Sequence, residues 1–169
     1  MFRWRITKYD PQYRDNRGAY LKDEWICHSE IGKTFEGKKF TLKEYLKTED
    51  AYIKAVLLFM KDLNIDSLRI SRLINDGRAR KKVITDDKIE LINNTYVNKE
   101  RISYIIQLIL RNILGCKFKA KEMYVEFGWD FYMYIGSIRH PSNSTIEKIE
   151  QMGLFVEQCI PAPRRNLDK

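Results

Sequence analysis

The chain has 169 residues, 44% hydrophobic and 32% charged, proportions ordinary for a soluble globular protein and sufficient for one domain with a real core. The longest oily stretch, Ile102 to Leu114, contains Gln107 and Arg111 and is too short to span a bilayer, which argues against a membrane protein. A net charge of +8 and a pI near 9.3 favour anionic partners (nucleic acid, an acidic protein surface or a membrane surface) without choosing among them.

Phe2, Trp4 and Ile6 alternate with Arg3, Arg5 and Thr7, the pattern of a half-buried strand with one apolar and one basic face. The opening M-F-R-W-R-I-T-K-Y lacks the apolar run of a signal peptide, so a cytoplasmic location is expected. Residues 9–22, with Pro11 and Asn16-Arg17-Gly18, read as a loop. From Trp25 to Phe35 the pattern is ambiguous, and Ser29 can cap a short helical turn through Gly32. Gly32-Lys33-Thr34 resembles the end of a phosphate-binding P-loop. That motif needs a glycine five positions before Gly32, where Cys27 stands, and an apolar strand leading in, so it is rejected.

Thr41-Leu42-Lys43-Glu44 is a capping box, with Thr41 as cap and Glu44 reaching back. Leu42, Tyr45, Leu46, Ile53, Val56, Leu57, Met60 and Leu63 follow at helical spacing and predict an amphipathic helix over 42–63 that covers a sheet. Ser67 to Leu73 reads as a strand, with Leu68 and Ile70 opposite Arg69 and Ser71. Residues 75–96 change character. Asn75-Asp76-Gly77 opens a turn into Arg78-Ala79-Arg80-Lys81-Lys82, and the segment is expected as a mobile basic insertion with a short element near Ile89 to Ile92. Such runs are usually only solvated; the alternative is phosphate contact through Arg78, Arg80, Lys81 and Lys82.

Ile102, Ile105, Ile106, Ile109, Leu110, Ile113 and Leu114 predict a second, more buried helix over 98–114, capped by Asn98 and ended by Gly115. Lys117 to Lys121 is a basic strand or connector. After His140-Pro141, Ser144 can cap a short helix through Gln151, with Gly153 in the left-handed position beyond it. Leu154 to Cys159 is a last strand, and residues 161–169 a tail. The order β-α-β-α-β-β-α-β fits a single α+β domain over 1–160. Its sheet, antiparallel or mixed, would have about five to six strands, with two main helices and a short C-terminal one.

Met123 to Gly136, M-Y-V-E-F-G-W-D-F-Y-M-Y-I-G, is the organising hairpin. A three-residue loop, Gly128-Trp129-Asp130, sets Phe127 opposite Phe131, Val125 opposite Met133 and Met123 opposite Ile135, with every aliphatic residue on one side. Tyr124 then faces Tyr134 and Glu126 faces Tyr132, with Trp129 at the tip. Gly128 fits poorly, because such loops place their glycine late. The tyrosine face reads in two ways: as core under a helix with wetted hydroxyls, or as an exposed binding surface.

Candidate chemistry is thin. His28 and His140 are the two histidines, and Cys27 beside His28 raises a metal or nucleophile reading. No set of about four ligands at zinc spacing exists, and neighbours on a strand point apart. Cys27, Cys116 and Cys159 form no C-x-x-C, which fits a reducing compartment better than a disulfide framework. Asp130 suits a turn, and Glu126 becomes a site candidate only in a pocket. No catalytic residue, metal ligand or cofactor is assigned, and an enzyme ranks last.

W-R-I-T-K-Y (Trp4 to Tyr9), Y-L-K-D-E-W (Tyr20 to Trp25), E-Y-L-K-T-E-D-A-Y-I (Glu44 to Ile53), F-G-W-D-F-Y-M-Y-I-G and G-L-F-V-E (Gly153 to Glu157) together resemble a group of small bacterial single-domain proteins of unassigned function. The resemblance implies order and spacing over most of the chain and carries no residue roles. By analogy, small proteins of this style are often immunity proteins or specific inhibitors.

The leading expectation is therefore a protein-binding module, most concretely an immunity-type inhibitor of a partner with an acidic surface. It would bind through Tyr124, Trp129, Asp130, Tyr132, Tyr134, Arg3, Arg5 and Arg69. Against it, inhibitors of nucleases tend to be acidic. The alternative is an RNA or single-stranded nucleic-acid binding protein using the same Tyr/Arg sheet face, although no RRM, KH or zinc-finger signature supports it. A helix laid across that face would remove both readings.

Overall fold

A computed structural model describes residues 1–159; the proposed tail from residue 161 lies outside them. The alternation at the N-terminus forms β1 (Phe2–Thr7), which buries Trp4 and Ile6. A two-stranded ribbon, β2 (Thr34–Phe35) with β3 (Lys38–Lys39), precedes helix α1 (Leu42–Asp62). The Thr41/Glu44 capping box is formed, worth about 1 kcal/mol to the helix start. The inner stripe of α1, including Tyr45, Tyr52, Val56, Phe59 and Met60, is buried.

β4 (Ser67–Asn75), β5 (Arg78–Ala79), β6 (Lys82–Ile84), β7 (Glu90–Ile92) and β8 (Tyr96–Asn98) follow, then α2 (Lys99–Leu110) with Asn98 as its cap. β9 (Gly115–Lys119), β10 (Met123–Phe127), β11 (Met133–Ser137), α3 (Asn143–Gln151) and β12 (Phe155–Cys159) complete the order.

The main sheet runs β12-β1-β11-β10-β9-β4-β5, with β8 also on β4, and its pairings are antiparallel throughout. The α+β class holds, with eight strands in the main sheet in place of five or six. The extra strands are short: β5 has two residues and β8 three, too few to show a period.

One cross-strand row, Trp4–Ile135–Val125–Phe118–Ile70, is buried and shares a core with α1 and α2. α3 packs between α1 and β12. The helices thus cover one side of the sheet, and among the described residues none crosses the other. No helix among them is long and apolar enough to cross a membrane.

Several boundaries differ from expectation for local reasons. α2 stops at Leu110, where Asn112 (φ 58°) takes the left-handed position assigned to Gly115; Gly115 instead opens β9. Ser142, not Ser144, caps α3, and Gly153 (φ 89°) follows it as expected. The turn near Ser29 is a 3-10 turn, His28–Glu30, with no side-chain cap. Within 75–96, β6 and β7 form a hairpin that buries Val83 and Leu91, and the Tyr104 hydroxyl donates to the Asp87 carboxylate at 2.9 Å.

The β10–β11 register is the main correction. Met123 pairs with Ser137, Tyr124 with Gly136, Val125 with Ile135, Glu126 with Tyr134 and Phe127 with Met133. The loop is five residues, Gly128 to Tyr132, so each pairing shifts by two and both faces survive. Phe131 drives the change. It leaves the strand to bury its ring against Tyr52 (5.5 Å) and Trp25 (5.0 Å).

Candidate functional site

The uncovered sheet side carries two adjacent rows of side chains, two residues apart along each strand. Ser71–Lys117–Glu126–Tyr134–Arg5–Glu157 is the first. Lys117 pairs with Glu126, and Arg5 forks onto Glu157 at 2.7 and 3.1 Å. Arg14 reaches the same Glu157 at 2.9 Å from the 9–25 loop, with its side chain only 6% exposed. The Arg5 pKa is raised, chiefly by the Glu157 hydrogen bond. This is a paired row: its cations meet carboxylates on neighbouring strands.

The second row is Tyr96–Arg69–Lys119–Tyr124–Gly136–Arg3–Cys159. Among the described residues, Arg69, Lys119 and Arg3 have no carboxylate partner. Arg69 bonds only the Asn94 side-chain oxygen, at 3.0 Å, and the Arg3 guanidinium lies 4.3 Å from the Tyr134 ring centroid. The Tyr124 ring lies directly on Gly136: a Cβ there would sit 1.9 Å from a ring carbon. Glycine is what lets the ring lie flat on the backbone. Burial raises the Tyr124 pKa, while Arg3 opposes the shift.

The hairpin tip is a separate feature. Asp130 (φ 54°) and Phe131 (φ 61°) are both left-handed, a strained state for a bulky residue. It is held because Phe131 is buried and the Tyr52 hydroxyl donates to its carbonyl. Trp129 is thereby turned outward and is 89% exposed. Beside it opens a cleft of about 710 Å³, lined by Ile26, Ile74, Leu110, Leu114 and Phe127. Arg72 (φ 54°), at the β4 bulge, and Asn112 also line it, so the cleft gathers four left-handed non-glycine residues.

The expected surface therefore divides. Tyr124, Tyr134, Arg3, Arg5 and Arg69 share the open face, with Arg5 neutralised. Trp129 and Asp130 stand at the tip. Tyr132 is half-buried, its ring 5.5 Å from Tyr9 and 5.7 Å from the Arg14 guanidinium. Arg78, on the edge strand β5, and Arg80, Lys81 and Lys82, which follow it, are exposed, with Lys82 paired to Glu90 at 2.9 Å.

The Cys27 thiol lies 3.0 Å from the Ser29 hydroxyl. His28 packs edge-on to Tyr45 at 4.7 Å, and His140 packs at a tilt against Phe2 at 4.0 Å. Among the described residues no cluster of three or more His, Cys, Asp or Glu side chains has metal-binding geometry.

Sequence reasoning missed three clusters. Glu49, buried in α1, receives Arg111 at 2.6 and 2.8 Å and the Tyr45 hydroxyl at 2.9 Å. Lys8 lies over the Tyr9 and Trp25 rings and bonds Glu24 at 2.9 Å. Burial lowers the Lys8 pKa despite that carboxylate. Lys119 and Tyr96 were the missed members of the free row. Their signal, an alternation with Phe118 and Val97, was present but spanned too few residues to fix a register.

No protein-family model, curated protein or solved structure matches the chain.

Proposed function

We propose that the chain is a protein-binding module of the inhibitor or immunity kind, which docks on its partner through the hairpin tip. The observation that carries this reading is Trp129: a large aromatic held almost fully in solvent by a strained, core-anchored loop. The backbone that carries the ring is already fixed, so docking has to order only the side chain, and large aromatics of this kind supply interface hot spots. The apolar cleft beside it offers a hole next to the knob, and Arg72 at its wall suits a partner with an acidic rim. The bacterial inhibitor class comes from the sequence resemblance alone.

The test is capture from nuclease-treated native lysate on immobilised wild-type protein and on Trp129→Ala. One protein retained stoichiometrically by the wild type and lost by Trp129→Ala is the expected result. Equal retention by both removes the tip from the interface. A second reading, single-stranded nucleic-acid binding, draws on a different surface, the unpaired cations of the open face.

A further inference from the structure

The fold brings carboxylates to the open face and uses them selectively. Glu126 and Glu157 neutralise Lys117 and Arg5 in one row, while the row two residues away keeps Arg69, Lys119 and Arg3 free of carboxylates among the described residues. Arg69 and Lys119 sit on adjacent strands and repel each other, and Arg3, three strands from Lys119, meets no carboxylate among the described residues either, so the row contributes no ion pair to folding. Two aromatics share the row: Tyr96, 65% exposed, flanks Arg69, and Tyr124 lies between Lys119 and Gly136.

We propose that this row is a track for single-stranded nucleic acid, laid across the strands. Arg69, Lys119 and Arg3 would take phosphates, and Tyr124 and Tyr96 would stack bases. Four strand spacings of about 4.8 Å separate the Arg69 and Arg3 backbones, roughly 19 Å, room for a short run of nucleotides. The Tyr124 ring has one face on Gly136, so a base would stack on the other, as on a stacking platform. Stacking requires bases free of a duplex, which selects a single strand over a helix. An acidic protein surface satisfies the cations equally well; a tyrosine ring seated on glycine, in one row with Lys119 on one side and Arg3 on the other, favours the base-and-phosphate spacing of a single strand.

The experiment is fluorescence anisotropy of the full chain with a short labelled oligouridylate across a salt series. Polyglutamate and a hairpin duplex of equal charge serve as competitors. The wild type is expected to bind the single strand with steep salt dependence, and to prefer it to both competitors. Arg3→Gln with Arg69→Gln and Lys119→Gln should flatten the logarithmic salt slope by about 2, near 0.7 per lost phosphate contact. Tyr124→Leu should weaken binding about tenfold with the slope unchanged. Tyr96→Leu, at a position 65% exposed, repeats that test should Tyr124→Leu unfold. Lys117→Gln with Glu126→Gln, in the paired row, should bind as the wild type does. Failure to bind the oligonucleotide at low salt overturns the proposal. So does equal affinity for polyglutamate with both tyrosines dispensable, which gives the row to an acidic protein.

Discussion

Two rows of side chains lie next to each other on one sheet face, built by the same strands, and are wired in opposite ways. In the paired row, Glu157 alone holds Arg5 and the nearly buried Arg14, and Glu126 holds Lys117. In the free row, Arg3 and Arg69 find only a ring face and an amide oxygen. Charge on a surface sheet thus serves two ends. Where it is matched across strands it fixes the fold; where it is unmatched it leaves cations open on the surface, the ones the proposed track would use.

The largest effect expected from breaking this contrast is at Glu157. Glu157→Gln leaves the buried Arg14 guanidinium without its counter-charge and should cost about 2–3 kcal/mol in chemical denaturation. A loss under about 0.5 kcal/mol would reduce the pair to an ordinary surface contact. Next is Gly136→Ala in the free row. The added Cβ collides with the Tyr124 ring and must lift it from the sheet, at about 1–2 kcal/mol. An unchanged midpoint there would mean that the ring is not seated on the glycine. Smallest is the direct comparison of the two rows. Lys117→Gln should lose about 0.5 kcal/mol with its half-exposed pair, whereas the triple glutamine variant of Arg3, Arg69 and Lys119 should lose nothing or gain slightly. A clear loss in the triple variant would show that the free row is also structural.

The sequence made some of this legible and hid the rest for physical reasons. Helix α1 was readable because its capping box and a long stripe agree. Side-chain parity on β1, β10 and β11 was readable because alternation survives any even shift. The hairpin register was not. Matching Phe127 to Phe131 looked best, yet Phe131 belongs to the helix-covered core and reaches it through a backbone state that no residue type there announces. The same shift replaced an expected Tyr124–Tyr134 pair with Tyr124 on Gly136. Tyr132 looked equivalent to Tyr134 by parity, but the 9–25 loop covers it through Tyr9 and Arg14. Trp129 was placed at the tip correctly from order alone.

The position of β1 has a further consequence, in time rather than space. It lies between β11 and β12, and Trp4 donates its indole N–H to the Ser137 hydroxyl across 133 residues of chain. During synthesis β1 therefore emerges long before either neighbour has been made. Contacts of such long range make folding slow and leave an amphipathic segment unpaired meanwhile. Arg3 and Arg5, alternating with Phe2, Trp4 and Ile6, are the gatekeepers that discourage this waiting strand from pairing with another chain.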